Sequence, residues 1–263
     1  VVGEASDITI KRDDAKIFNY SRIYMAGVLS TTMFLKQVAK SLSDNQAKAV
    51  VEELFRQTKG VKKRLKNHDT GKTFYGWIGG TESHTFNYLE DLANANDPRT
   101  PVLGSGMSEA IHPKNLMKEG EYLTSRGNWG VQSSGVDFLH CLISGTYWLC
   151  RKYDIDARLM LTIHDEYRWV VAKGDRDRLA LAMQIAHLWT RALVVYRLGF
   201  RDLPEGVAWF EEIDYDFCLR KESNQPCVTP SQPEGLPLGR AVVIQELIEK
   251  GVTLDKSKTP ALL

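Results

Sequence analysis

The chain has only four cysteines and no C-x-x-C pair, so spacing gives it no structural zinc site. Cys141, Cys150, Cys218 and Cys227 are scattered, as buried thiols in a reducing compartment are. Neither sign of charge is in excess: 34 basic against 33 acidic side chains leave a formal net charge of +1. No global field draws the chain to nucleic acid or to a membrane surface, and an electrostatic partner must meet a local patch. No apolar run reaches the roughly 18 residues of a membrane span. The longest are broken by His140, Arg191 and Arg197, so membrane insertion is not expected. The start, Val1-Val2-Gly3-Glu4, has neither a basic n-region nor a Met and reads as part of something longer or as a processed product. There is no internal repeat. What remains is 43% apolar and 25% charged residues over 263 positions, an ordinary globular mix long enough to bury a sizeable core.

Residues 11–30 read as one helix. Ser43-x-x-Gln46 is a capping box opening a helix that runs to Lys59 and stops at Gly60, with Val50, Val51, Leu54 and Phe55 on one face. Lys59, Lys62, Lys63, Arg64, Lys66 and Lys72, opposed only by Asp69, form a basic loop. A short helix is expected over 81–94, loop-rich chain over 95–121 and a long buried helix over 130–153. Arg158 to Ala172 reads as two strands around a tight turn at 164–166, being rich in β-branched and aromatic residues. Asp175 is placed to cap a helix over 176–198 that Gly199 closes. Pro226, Pro230, Pro233 and Pro237 mark an extended surface wrap, and a last short helix is expected over about 240–250. Helices, a strand pair, then more helices make an α+β chain with a small antiparallel sheet.

Two constellations carry chemistry. Arg12, Lys16, Tyr20 and Tyr24 recur every fourth residue, so they lie along one helical face with slow drift. Two cations near a helix N-terminus, followed by two rings, suit a triphosphate and a stacked base. The same spacing suits an amphipathic helix with solvated cations and core tyrosines. The second constellation is Ile163-His164-Asp165-Glu166, two adjacent carboxylates at a hairpin tip. Such a pair repels unless solvent or a divalent cation relieves it, and Mg²⁺ is held by one or two carboxylates plus substrate phosphates. Neighbouring strand residues face opposite sides, so only one of the two is a main ligand. A plain polar turn has the same composition.

Together these segments resemble family A DNA polymerases, in particular their mitochondrial replicative members. Arg12-Asp-Asp-Ala-Lys16-Ile-Phe-Asn-Tyr20-Ser-Arg-Ile-Tyr24 resembles motif B, the fingers helix that binds the incoming nucleotide. His164-Asp165-Glu166 resembles motif C. Ser125-Arg126-Gly-Asn128-Trp-Gly-Val-Gln132-Ser-Ser134 is similar to the segment that touches the primer–template. Gly79-Gly80-Thr81-Glu82-Ser83, Arg99-Thr-Pro-Val-Leu-Gly104 and Cys218-Leu-Arg-Lys-Glu222 extend the likeness over nearly the whole chain.

The resemblance implies fingers helices over 1–95, a partial palm with the motif C hairpin over 96–221 and an extended tail with a short helix over 222–263. It implies two-metal nucleotidyl transfer with Mg²⁺, primer–template DNA and deoxynucleoside triphosphates as partners, and the mitochondrial matrix as location. Other protein chains would complete or host the fold. Asp165 would be the metal carboxylate, assisted by Glu166. Arg12 and Lys16 would bind the β/γ-phosphates, and Lys16 would protonate the leaving pyrophosphate. Tyr24 would stack near the nascent base pair with Tyr20 along the same face. His164 would place the primer terminus. Arg126, Asn128 and Gln132 would meet the duplex, the last two at the minor-groove acceptors common to all correct pairs. Asp165 and the Arg12–Lys16 face are expected to address one triphosphate–metal unit.

Two departures limit the likeness. The eleven residues before Arg12 carry no motif A pattern, the source of the second essential carboxylate; Asp7 stands too close to the helix. The family has Gly after each of the two tyrosines, where this chain has Ser21 and Met25. A degenerate, non-catalytic polymerase-like subunit with a structural or nucleic-acid-binding role is therefore the alternative reading.

Overall fold

The computed structural model describes residues 11–66, 73–118, 121–201, 203, 210 and 212–257. The chain divides into two compact units, Val1–Ser134 and Gly135–Leu263. The division falls inside a long helix.

In the first unit, helix α1 (Arg12–Ile23) is followed by α2 (Val28–Val38) and α3 (Asp44–Thr58). The expected single helix over 11–30 is broken because Met25 takes a left-handed backbone with φ 69° and Gly27 starts α2 as its N-cap. The Ser43–Gln46 capping box forms as expected. Phe18, Leu35, Ala39, Ala47, Val51 and Phe55 make a shared core, with Val50 and Leu54 packed against it.

The expected basic loop is instead a strand, β1 (Gly60–Lys66), paired antiparallel with β2 (Thr73–Gly79). Val61 and Leu65 share one face of it with Lys63 between them, and long basic side chains reach solvent from either face of a two-stranded ribbon. Asp69 and Lys72 lie outside the described residues. The root of the hairpin is a backbone crossing. A Cβ on Gly60, at φ 84°, would lie 2.1 Å from the Ile78 carbonyl oxygen, and one on Gly80 would lie 2.3 Å from that of Thr58. Helix α4 (Ser83–Asn94) docks on β2 through Asn87, which accepts from the Trp77 amide at 2.7 Å and donates to its carbonyl at 2.9 Å.

Helix α5 (Leu123–Lys152) begins earlier than the expected 130, so Arg126 and Asn128 are helical. In the second unit, β3 (Ala157–Ile163) and β4 (Glu166–Val171) form the expected hairpin, with a register shift between Leu159 and Leu161. Helix α6 (Arg176–Leu198) is closed by Gly199 at φ 70°. Asp175 precedes it but does not cap it: its carboxylate accepts from the Asp156 amide at 2.8 Å and pairs with Arg178. By length and composition, the segment containing α6 is apolar enough to cross a membrane. Its buried Asp177, Arg178 and Gln184 are instead those of a core helix. Strands β5 (Ile213–Tyr215) and β6 (Arg240–Val242) pair antiparallel, and α7 (Ile244–Glu249) ends the described elements. The last helix is thus shorter than the expected 240–250, because the β-branched Val242 and Val243 extend the chain before it. Leu142, Leu149, Tyr167, Leu179, Ile213 and Val242 belong to one core.

Candidate functional site

Helix α1 is two-faced. Phe18 and Arg22, four residues apart, are buried on its inner face. Arg22 makes a two-pronged ion pair with Glu82 and lies 5.6 Å from the Phe86 ring centre. The outer face carries the expected row. Arg12, Lys16 and Tyr20 are exposed and Tyr24 is half-buried. Lys16 Nζ lies 5.6 Å from the Tyr20 ring centre, and the Tyr20 and Tyr24 rings stack at 6.0 Å. Lys16, Tyr20 and Tyr24 therefore form a continuous surface, with Arg12 about one turn before them on the helix. Ser21 sends its hydroxyl back to the Phe18 carbonyl at 2.8 Å, so it presents no free donor to that face.

Beyond Tyr24 the Met25 side chain lies against Gly127 of α5. A Cβ on Gly127 would come within 2.5 Å of Met25 Cγ. One residue earlier, Arg126 is buried and donates to the Ala93 carbonyl at 2.6 Å. The guanidinium thereby satisfies an orphan carbonyl at the end of α4. Asn128 and Gln132 keep the spacing of one helical face, with Gln132 exposed. Asn128 Oδ1 is buried without a hydrogen-bond partner among the described residues.

The Ile163–Glu166 pair closes β3 and β4 around a two-residue turn, His164-Asp165. His164 sits there at φ 54°, a left-handed backbone that favours glycine. Both turn residues are exposed. Glu166 is committed to Arg168 at 2.7 Å, and among the described residues Asp165 takes no ion-pair partner. The two adjacent carboxylates thus differ, and Asp165 is the one open to a cation. No group of three or more His, Cys, Asp or Glu side chains clusters to hold a metal among the described residues. Asp165 alone fits the mode in which Mg²⁺ draws most of its ligands from substrate phosphates and water. The row on α1 belongs to the first unit and the tip to the second.

The sequence did not reveal the surroundings of Lys59. Its ammonium lies 4.3 Å from the Phe86 ring centre, 4.8 Å from Phe55 and 5.5 Å from Trp77. The side chain is 5% exposed, and burial pushes the ammonium down to about 8. Glu90 opposes that shift, while Arg22 and Lys62 add to it. Glu90 itself accepts from Lys62 at 2.9 Å and from the Trp77 indole at 2.7 Å. Lys63, Arg64 and Lys66 remain exposed on a hairpin whose strands contain no carboxylate.

The chain matches the family model described as DNA polymerase family A over residues 4–192. It is 45% identical over 246 residues to DNA polymerase gamma of Komagataella pastoris, covering 94% of this chain and 24% of that one. It is 43% identical over 258 residues to the mitochondrial DNA polymerase gamma of Neurospora crassa, covering 97% and 17%. It is 38% identical over 293 residues to DNA polymerase subunit gamma-1 of Gallus gallus, covering 93% and 45%. The chain thus spans less than half the length of each of these curated relatives.

Proposed function

Because this chain belongs to DNA polymerase family A, we propose that it is the nucleotide-binding and motif C part of a mitochondrial DNA polymerase extending primer–template DNA from deoxynucleoside triphosphates. The observation that carries this reading is the outer face of α1, where Arg12 and Lys16 stand exposed ahead of the stacked Tyr20 and Tyr24. Arg12 and Lys16 grip the β- and γ-phosphates at a helix N-terminus, and Lys16 passes its proton to the leaving pyrophosphate. Tyr24 stacks beside the nascent base pair, with Tyr20 behind it. Asn128 and Gln132 donate their side-chain amides to the minor-groove acceptors, and His164 steadies the primer terminus. Asp165 would hold a Mg²⁺ ion shared with the substrate phosphates, which supplies the charge that activates the primer 3′-hydroxyl and offsets the leaving group. Glu166 assists from its pairing with Arg168. We assign fingers to 1–95, partial palm to 96–221 and tail to 222–263. We assign the mitochondrial matrix as location, supported by the name of the Neurospora relative.

Two-metal chemistry needs carboxylates from two segments, and Asp165–Glu166 is one of them. Residues 1–263 by themselves are therefore expected to bind a metal–nucleotide without extending a primer. Adding a polypeptide that carries motif A restores extension, and Asp165→Ala abolishes it. Extension that survives Asp165→Ala overturns the assignment.

The non-catalytic reading is favoured by one observation, the Met25 side chain against Gly127 just past Tyr24. On that reading the completed protein binds primer–template with no nucleotide incorporation, and Met25→Gly does not restore any.

A further inference from the structure

Segment 216–239 closes on one guanidinium. Arg220 donates Nε to Cys218 Sγ at 3.1 Å, Nη1 to the Gln225 carbonyl at 2.6 Å and Nη2 to the Pro237 carbonyl at 2.7 Å. Nη2 also pairs with Asp216 at 3.0 Å. Asp216 accepts from the Phe217 amide at 2.7 Å, which fixes the turn into Cys218. From the other side, the Leu236 amide donates to the Cys227 carbonyl at 2.8 Å, and the Gly239 amide to that of Ser223 at 2.8 Å. Arg220 and these backbone bonds fold the chain back so that Cys227 meets Cys218.

Clasped in this way, the two thiols act on each other. Both are free and only half-buried, unlike the buried Cys150. The hydrogen bond from Cys218, with burial second, raises the Cys227 thiol above its ordinary range. Cys218 alone receives the guanidinium hydrogen bond. The contacts divide the pair: Cys218 has a guanidinium N–H at its sulfur, with the Asp216 carboxylate 4.0 Å away, and Cys227 has neither.

We propose that Cys218 and Cys227 are a redox modification site, a dithiol that a small hydroperoxide converts to an intramolecular disulfide. The Cys218 thiolate attacks the peroxide O–O bond, giving a sulfenic acid and releasing an alcohol, or water when the oxidant is hydrogen peroxide. The Cys227 sulfur then displaces the sulfenic oxygen, forming the S–S bond and releasing water. Two thiols lose two electrons and two protons, and the peroxide is reduced. A metal site does not explain the pair, because among the described residues no third His, Cys, Asp or Glu joins it in a metal-holding group.

The clasp has a route to the hairpin tip. The Arg220 carbonyl accepts from Arg168 Nη1 at 2.9 Å, and Arg168 Nη2 holds Glu166 at 2.7 Å. Closing the disulfide removes the Cys218 sulfur as acceptor for Arg220, and the Arg220 backbone is Arg168's other anchor. The dithiol chemistry stands without the polymerase reading; its effect on Glu166 rests on that reading.

The test uses the full chain, reduced and then exposed to near-stoichiometric hydrogen peroxide. Free thiols are alkylated and the peptides read by mass spectrometry. The expected product is a 218–227 disulfide, two hydrogen atoms lighter and reversed by dithiothreitol, while Cys150 stays reduced. Cys227→Ser should stop Cys218 at a sulfenic acid that dimedone traps. Cys218→Ser should slow oxidation of Cys227 by about tenfold or more. The wild-type chain gives the primary answer, so a variant that fails to fold does not remove it. Residues 218 and 227 both staying reduced, or cross-linking only to other cysteines, overturns the proposal. So does a purified 1:1 Zn²⁺ complex that shields both thiols. A disulfide that forms but leaves Asp165-dependent primer extension by the completed enzyme unchanged retains the modification site and removes its link to Glu166.

Discussion

Lys59 carries a positive charge into a ring of three aromatic side chains, and the surrounding fold bears the cost. Its ammonium is pushed down to about 8 in the folded chain, against an ordinary value of 10.5. Between those values the unfolded chain binds more protons than the folded one, so stability from this group rises with pH from about 8 to about 10.5. The full effect is of order 3 kcal/mol. Lys59→Met keeps a long flexible side chain among the rings and removes the charge. It should raise stability at pH 7 by about 1–2 kcal/mol and flatten the rise above pH 8. Urea unfolding at several pH values, followed by tryptophan fluorescence, measures both; a variant with the wild-type pH slope contradicts the placement of this charge. Motif residues were easy to read because their chemistry is local: Arg12, Lys16, Tyr20 and Tyr24 share a face by spacing alone. Lys59 and Arg126 were not, because their partners, Phe86 and Trp77 for the first and Ala93 for the second, come from other elements. Nothing in a basic residue's neighbours says that it points inward.

Where α1 ends, Met25 and Gly127 act as a knob and a hole contributed by two elements. Gly127→Ala places a methyl within 2.5 Å of Met25 Cγ and should cost about 1–3 kcal/mol through overpacking. In a Met25→Gly background the same change replaces a helical glycine without that contact. It should then be stabilising by up to about 1 kcal/mol, so the sign reverses. Met25→Gly also relieves the left-handed backbone at φ 69°, which costs a side-chain-bearing residue about 1–2 kcal/mol. Thermal unfolding of the four members of this cycle gives the coupling energy, and additivity within about 0.5 kcal/mol would remove it. Element boundaries followed legibility of another kind. The Ser43 cap and the Gly199 stop were visible as side-chain chemistry. The break at Met25 was not, since Met gives no turn signal. Strand β1 was hidden because charge obscured its alternation, and its partner β2 had no separate boundary signal.

The whole molecule is electrically close to neutral at +1, yet β1 concentrates Lys62, Lys63, Arg64 and Lys66 without an acidic neighbour on either strand. Glu90 occupies Lys62, leaving three exposed cations for phosphates. Duplex DNA should therefore bind weakly, with little sequence preference and a steep salt dependence. Changing Lys63 and Arg64 together to Ala should reduce the slope of log K against log salt by about 1.8, at about 0.9 per phosphate lost. Titrating a fluorescent duplex at several salt concentrations reads that slope directly, and an unchanged slope excludes the hairpin from the interface. The α+β class was legible because composition and periodicity are summed over many residues. The division into two units was not, since it lies inside α5, where the helical pattern runs without interruption. Arg178 gives the second unit an order of assembly during synthesis. Its buried guanidinium donates to the Leu254 carbonyl, 76 residues later in the chain. The other acceptors, Tyr153, Asp154 and Asp175, precede it. A chain still emerging from the ribosome lacks the Leu254 part of that socket and must keep α6 partly hydrated, because a buried guanidinium N–H lacking its acceptor is costly. The first unit can close on contacts already made, while the second waits for Leu254 to arrive.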